Sequence, residues 1–379
     1  KNKNMSILDD AVFLLQPTSV KASKIYSTFP TDGTGDFTFT RNAIKNRIAK
    51  NGLITKVQAN VPSLSYKPIS GVSDGCPHIS IEKESTNLIT YSDDFSQWTS
   101  VGNAVVTNNF ITSPDGTKNA AKIVFDGTAN ARIEIQITST GEVTQSIYLR
   151  TETGTQSVKI GTTSADLSTV TVTTEWQRFT HTSSSGTFPR VLCNDSNTIY
   201  ISKAQAENKS FATSNIDSSG AATTRITDGP FTSDFASESV TFPANTSTLV
   251  LWFSYNGKNG DFFKLLRFED SAGGNSLRLE TYSNNIINIY GDNISASGLI
   301  TNGFTLNPET LCKIAISYNS TETNVFINGS SVTINAPTGV LNIINKIYNN
   351  TTSMNNINIH RAAVFNSLRS NQDLKALTN

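Results

Sequence analysis

Apolar side chains return every second residue in one short run after another along this chain, and each run stops at a turn. In "ARIEIQIT" (131–138) Ile133, Ile135 and Ile137 share one face; in "SLRLETY" (276–282) Leu277 and Leu279 do. A repeat of two is the signature of a strand with one face in a core, and close spacing of such runs predicts antiparallel sheets rather than βαβ units. Between 87 and 225 the runs are "AKIVFDG", "ARIEIQIT", "VTQSIYLRTETG", "QSVKIGTT", "STVTVTTEWQRFTHTS" and "NTIYISKAQAE". "TSNIDSSGAATTRITDGP" (213–230) reads as a small-residue linker, after which "STLVLWFSY", "DFFKLLRFED", "NSLRLETYS", "NIINIYGD", "LCKIAISYNS", "TNVFINGSSVTI" and "NNINIHRAAVFN" form a second array.

The first 84 residues are irregular. Pro17, Pro30 and "TDGTGD" break them up, and "DFTFT" (36–40) is a short strand. Asn51-Gly52 and Asn328-Gly329 are hairpin turn signals. The segment is too poor in apolar residues to build its own core and should pack on a neighbour or another subunit. The expected organisation is therefore all-β: an irregular N-terminal anchoring segment (1–84) followed by two β-sandwich domains, 85–225 and 226–379. Only the tail, with Ser370 as N-cap and Asp373 three residues on, reads as helix. In "NLITYSDDFSQW" (87–98), Asn87 to Tyr91 should be the first strand of the first sandwich and Asp93-Asp94 its turn. Phe95 and Trp98 should tuck onto the core. Trp176 is likewise expected in the core rather than stacked on a sugar.

Lys+Arg and Asp+Glu are both 30 in 379 residues, and charged residues make up only 16%. Zero net charge argues against nucleic acid as a partner, because phosphate binding needs a basic surplus or stripe. No apolar run approaches the roughly 20 residues of a membrane span, and "KNKNMSILDDAVFLL", interrupted by Asp9 and Asp10, reads as no signal peptide. Cys76, Cys193 and Cys312 are too sparse for a disulfide framework and are expected as buried thiols. Cys76-Pro77-His78 has no second pair to complete a zinc site. His78, His181 and His360 each stand alone and read as structural.

Several stretches resemble known families. "LLQPTSVKASKIYSTFPTDGTGDFTFTRNAIKNRIAKNGLITKVQANVPSLSY" and "CPHISIEKESTNLITYSDDFSQW" resemble the N-terminal module of bacteriophage virion proteins of tail- and head-fibre type. The matching pieces are Phe39-Thr40-Arg41, Asn51 to Ile54, Val61 to Tyr66 and Glu82 to Ser92. "RNAIKNR" (41–47) departs from the small residues and Thr of that family, in what reads as a loop, so no role is assigned to Arg41. "SPDGTKNAAKI" (113–123), "EWQRFT" (175–180) and "AQAENKSFATSNI" (204–216) resemble carbohydrate-binding-module jelly rolls. "TLVLWFSY", the Val325–Gly329 hairpin and "AAVFNSLRSNQDLKALT" resemble laminin-G or concanavalin-A-like sandwiches. The resemblance implies a fibre or decoration protein on the virion surface. It would display lectin-like domains to host-surface polysaccharide, contact other virion proteins and form a homo-oligomer, a trimer by family analogy. In some such jelly rolls Asp93 and Asp94 would join a structural calcium site; a solvated turn is the other reading, and no other cofactor is expected. Such folds also serve purely structural modules and glycanases, so both remain alternatives.

Sugar binding by a sandwich needs aromatic and polar side chains on one exposed sheet face. Alternation selects Tyr148 and Arg150, with Ile147 and Leu149 pointing in, and Arg278, Glu280 and Tyr282, with Leu277 and Leu279 in. It also selects Asn288 and Tyr290 on the next strand, which could pair with the last across "SNN". Hydrolysis would need two carboxylates about 5–9.5 Å apart. Glu269, Asp270 and Glu280 do not make the E-x-D-x-E strand of concanavalin-like glycanases, and H-E-x-x-H does not occur. The expectation is a binding protein, not an enzyme.

Overall fold

The computed structural model describes residues 7–21, 24–29, 36–72, 75–228, 231–234, 246–257, 264–269, 276–282, 286–291, 298–299, 306–319, 321–332, 346–349 and 356–379. In 231–234, 264–269, 276–282, 286–291, 298–299 and 346–349, and at scattered positions before residue 39, the backbone alone is described. The fold is all-β, as the alternation predicts. Its contacts gather into two units: Ile44–Val57 with Glu84–Ile226, and Lys1–Ala43 with Gln58–Lys83 and Thr227–Asn379.

The first unit is a sandwich of two five-stranded antiparallel sheets. One runs in the order Val105–Ile111, Ala120–Asp126, Ser196–Glu207, Val143–Arg150, Gln177–Ser183. The other runs Leu167–Val172, Gln156–Gly161, Arg190–Cys193, Ala131–Glu134, Thr99–Val101. Inward side chains at every second position, among them Ile123, Phe125, Ile147, Leu149, Ile199 and Ile201 from one sheet and Ile133, Val158, Ile160 and Val191 from the other, form one core with Phe95 and Trp98. Trp98 is 4% exposed, donates Nε1–H to the Tyr91 carbonyl at 3.1 Å and packs 5.2 Å from the Phe95 ring. Burying a ring of this size stabilises the fold by about 2–3 kcal/mol.

In the second unit, among the described residues, sixteen strands are joined in one continuous network of antiparallel ladders. At its centre Thr246–Asn256 lies between Asn356–Phe365 and Cys312–Asn319. Phe13–Lys21 adds to the far side of Asn356–Phe365, with Leu14 opposite Ala363, and His78–Ile81 pairs further along the same strand. The strands Phe13–Lys21 and His78–Ile81 of the early segment thus find their core by completing this sheet. Leu249, Val250, Leu251 and Phe253 are all at most 2% exposed, so both faces of their strand are covered. That explains the continuous apolar run "LVLWF". The helix Asn371–Thr378 covers one face, setting Leu374 and Leu377 on Val250, Ala315, Phe326 and Ala363. Ser370 and Asp373 form a reciprocal capping box at its start. No helix among the described residues is long and apolar enough to cross a membrane.

Four expectations need correcting. Asn87 to Tyr91 is not a strand beyond Asn87. The Asn87 side chain instead donates to the carbonyls of Ala204 and Ile216 and to Ser92 Oγ, and accepts from the amides of Ile89 and Ala206. The 213–230 stretch is no loose linker through residue 228. Thr223–Arg225 pairs with Ser85–Asn87, and Asp228 forms an ion pair with Arg41 at 3.1 Å, both side chains fully buried. Hydroxyls and carboxylates hold it, which composition alone does not show. Cys76 is exposed; Cys193 and Cys312 are buried as expected. Trp176 is half-buried on the outer face of a sheet rather than inside.

Candidate functional site

The outward face of the Val105–Ile111/Gln177–Ser183 sheet carries a row of alternating aromatic and cationic side chains. Strand register builds it: Lys122 lies opposite Tyr200, and Tyr200 opposite Arg150. All three point to this face because Ile123, Ile199, Ile201 and Leu149 point in, but Tyr200 is itself covered by its neighbours and only 4% exposed. At one end Phe110 stacks on Tyr200, centroids 5.9 Å apart and planes 16° from parallel, while Lys122 Nζ sits 4.6 Å from the Phe110 centroid. At the other end the Arg150 guanidinium lies 6.0 Å from the Tyr200 ring and 5.9 Å from Trp176. Trp176 is fixed by an Nε1–H bond to the Thr112 carbonyl at 3.1 Å. Burial raises the Tyr200 phenol pKa, and the Glu152 carboxylate beside it raises it further, so the hydroxyl stays a neutral donor. Phe110 is 40% exposed, and Val105 on the same strand 58%.

Phe110 reaches this face through a backbone irregularity. Asn109 has φ +53°, and the ladder with Ala120–Asp126 slips between Thr107 and Ile111. Such a bulge re-aims a side chain, and Asn tolerates the left-handed region better than most residues.

Of the residues selected from the sequence, Arg150 belongs to this row. Tyr148 is on the same face in the next row, opposite Ser202 and Arg178. The Arg178 guanidinium lies 5.9 Å from its ring, and burial raises its phenol pKa. Arg278, Glu280, Tyr282, Asn288 and Tyr290 sit on strands Ser276–Tyr282 and Ile286–Gly291. These pair antiparallel, with Arg278 opposite Tyr290 and Glu280 opposite Asn288. Their side chains lie outside the described residues. Sequence reasoning missed Phe110, Lys122, Trp176 and Tyr200. The alternation of "NTIYISK" already points Tyr200 outward, whereas the bulge hides Phe110.

The acidic turn after Tyr91 splits into two structural roles. Asp94 caps the short 3-10 turn Phe95–Gln97. Asp93 joins Asp115 and Asp217 around the Lys203 ammonium, at 2.8, 2.7 and 3.3 Å. The Lys203 ammonium thus sits at the centre of these three carboxylates, and Asp93 is tied to it rather than standing in a solvated turn. Among the described residues no group of three or more His, Cys, Asp or Glu could hold a metal ion.

No protein-family model and no curated protein matches the chain. Among solved structures it is similar to the receptor-binding domain of botulinum neurotoxin D, with 13% identity over 39% of this chain and 41% of that one, TM-score 0.32. It is similar to a SAP-like pentraxin from Limulus polyphemus, with 9% identity over 37% and 72%, TM-score 0.31. It is also similar to the Ruminococcus gnavus IT-sialidase CBM40 bound to alpha2,3 sialyllactose, with 12% identity over 36% and 84%, TM-score 0.27. The chain thus spans about two fifths of the length of the neurotoxin domain, and at these scores the likenesses carry no argument about its ligand.

Proposed function

We propose that this chain is a bacteriophage surface protein, of fibre or decoration type. In this reading its jelly-roll unit holds host-surface glycan against the row Phe110, Lys122, Tyr200, Arg150 and Trp176. The observation that carries the glycan reading is that row itself. Apolar ring area lies beside a guanidinium, an ammonium, a carboxylate and a phenol hydroxyl on one outward sheet face, the combination that a sugar's apolar face and hydroxyl rim require. The placement on a virion, among other virion proteins and as an oligomer, follows the resemblance of the N-terminal stretches. Binding without hydrolysis is the reading, because the row brings ring faces and cations together rather than a pair of carboxylates. The Lys203 ammonium supplies the positive centre of the acid cluster, so no metal is invoked.

A glycan array probed with the full chain tests this. Specific saccharides should be retained, and Phe110→Ala with Trp176→Ala should abolish retention at an unchanged melting temperature. Retention unaffected by the double substitution would remove this face from the function, and an array with no retention would favour the purely structural role.

A further inference from the structure

The second unit holds a cavity of ≈ 310 Å³, lined by Pro17, Pro77 and Leu311 together with Trp252, Lys313 and Arg361. The last three stand in one cross-strand line: Trp252 pairs with Lys313 on one side and with Arg361 on the other. The Arg361 guanidinium carbon lies 4.0 Å and Lys313 Nζ 4.5 Å from the Trp252 ring centroid. Trp252 itself is pinned by its Nε1–H to the Leu377 carbonyl at 2.9 Å.

What stands out is the unbalanced charge. Arg361 and Lys313 are both half-buried, and among the described residues neither forms a salt bridge. Arg361 Nε is buried with no acceptor, while Lys313 donates to the Asn379 carbonyl at 2.6 Å. Burial disfavours both cations, and Arg361 further disfavours Lys313. His360, also on the wall, adds no charge near neutrality, because burial pushes its pKa down to about 4. Stacking on Trp252 accounts for where the two cations sit. It leaves Arg361 Nε without an acceptor and, among the described residues, neither cation with a side-chain carboxylate partner, a costly arrangement unless an anion arrives. The cavity is also far larger than an inorganic ion needs, since a water molecule takes about 30 Å³ and small-molecule sites start near 300 Å³.

We propose that this cavity binds an acidic sugar unit, its carboxylate held by Arg361 and Lys313 and its body against Pro17, Pro77 and Leu311. The proposal is independent of the jelly-roll face, which belongs to the other unit.

Isothermal titration of the full chain with glucuronate, N-acetylneuraminate, glucose and sodium sulfate tests it. At least one acidic sugar should bind, more weakly as NaCl rises, while glucose gives no heat and sulfate binds less tightly. Arg361→Gln should weaken the acidic sugar by roughly tenfold or more through loss of a charge-assisted hydrogen bond. Lys313→Gln, nearer the surface, should do the same at an unchanged melting temperature and guards against a misfolded Arg361 variant. Phe110→Ala with Trp176→Ala should leave this binding intact. Glucose binding as well as its acid, sulfate binding as tightly as the sugars, no binding of either acid, or affinity undiminished in the two charge variants would overturn the proposal.

Discussion

Lys203 adopts φ +54°, a left-handed backbone that a lysine takes only when its surroundings impose it. Its amide and ammonium both bond to Asp93, and the same ammonium reaches Asp115 and Asp217. Lys203→Met would leave three carboxylates facing one another, and urea unfolding should show a loss on the order of 3 kcal/mol. Burial works against the Asp115 charge, but the hydrogen bonds from Lys203, Ser113 and Thr117 outweigh it and hold its carboxyl well below 3.8. That contribution is complete above the unfolded value and fades as pH falls below about 4, so Lys203→Met should flatten the acid limb of stability. His360 acts over a higher window. Folded, it takes its proton only near pH 4, because burial disfavours the charge; unfolded, near 6.5. The unfolded state therefore binds more protons between these values, stability should rise with pH from about 4 to 6.5, and His360→Gln should remove that part of the slope. None of this was legible in the sequence. The three aspartates are 22 and 102 residues apart, 93 to 115 to 217, and only the fold brings them to one lysine. The same holds for Arg41, left without a role in the sequence reading. It is a buried node that donates to Asp228 and to the carbonyls of Ala43, Gln58 and Val61.

Local signals speak most clearly at the level of elements. Asn328-Gly329 has φ +46° and +78°, the pair of positive values a two-residue hairpin needs. A Cβ on Gly329 would meet only the movable end of the Asn379 side chain, so it is the positive φ that disfavours Ala there. The final helix began as expected because Ser370 and Asp373 cap each other. Ser370→Ala should cost about 1 kcal/mol and lower the melting temperature by a few degrees, read by circular dichroism. Alternation located the strands but failed where the chain breaks it. The left-handed Asn109 turned Phe110 outward, and the Asn87 clamp replaced a strand by an irregular run. Of the candidate site, Arg150 and the facing of Tyr200 could be read from period two. Trp176 could not, since an aromatic beside a turn packs equally well inside or against a neighbouring guanidinium.

Neither unit of the molecule is a single stretch of chain. The hairpin Lys45–Ile48 and Ile54–Val57 goes with the jelly roll, and strands from the first 83 residues go with the C-terminal sheet. Composition could show that the early segment lacks its own core. It could not show which edge it completes, because pairing Phe13 with Val364 leaves no local trace. A chain beginning at residue 85 therefore loses Phe13–Lys21 and His78–Ile81 from beside Asn356–Phe365. It should expose that strand's edge and be cut rapidly by protease after residue 227, while the full chain resists. Equal resistance would mean that the early strands are dispensable.

The pairing of Phe13 with Val364 also sets a schedule. During synthesis, residues 44–226 are all outside the ribosome long before residue 364 exists, so the sandwich can close while translation continues. Phe13–Lys21 must wait until Asn356–Phe365 has been made before it meets that partner. A pause before residue 356 would leave it paired with Lys24–Phe29 alone, its other edge open and sticky.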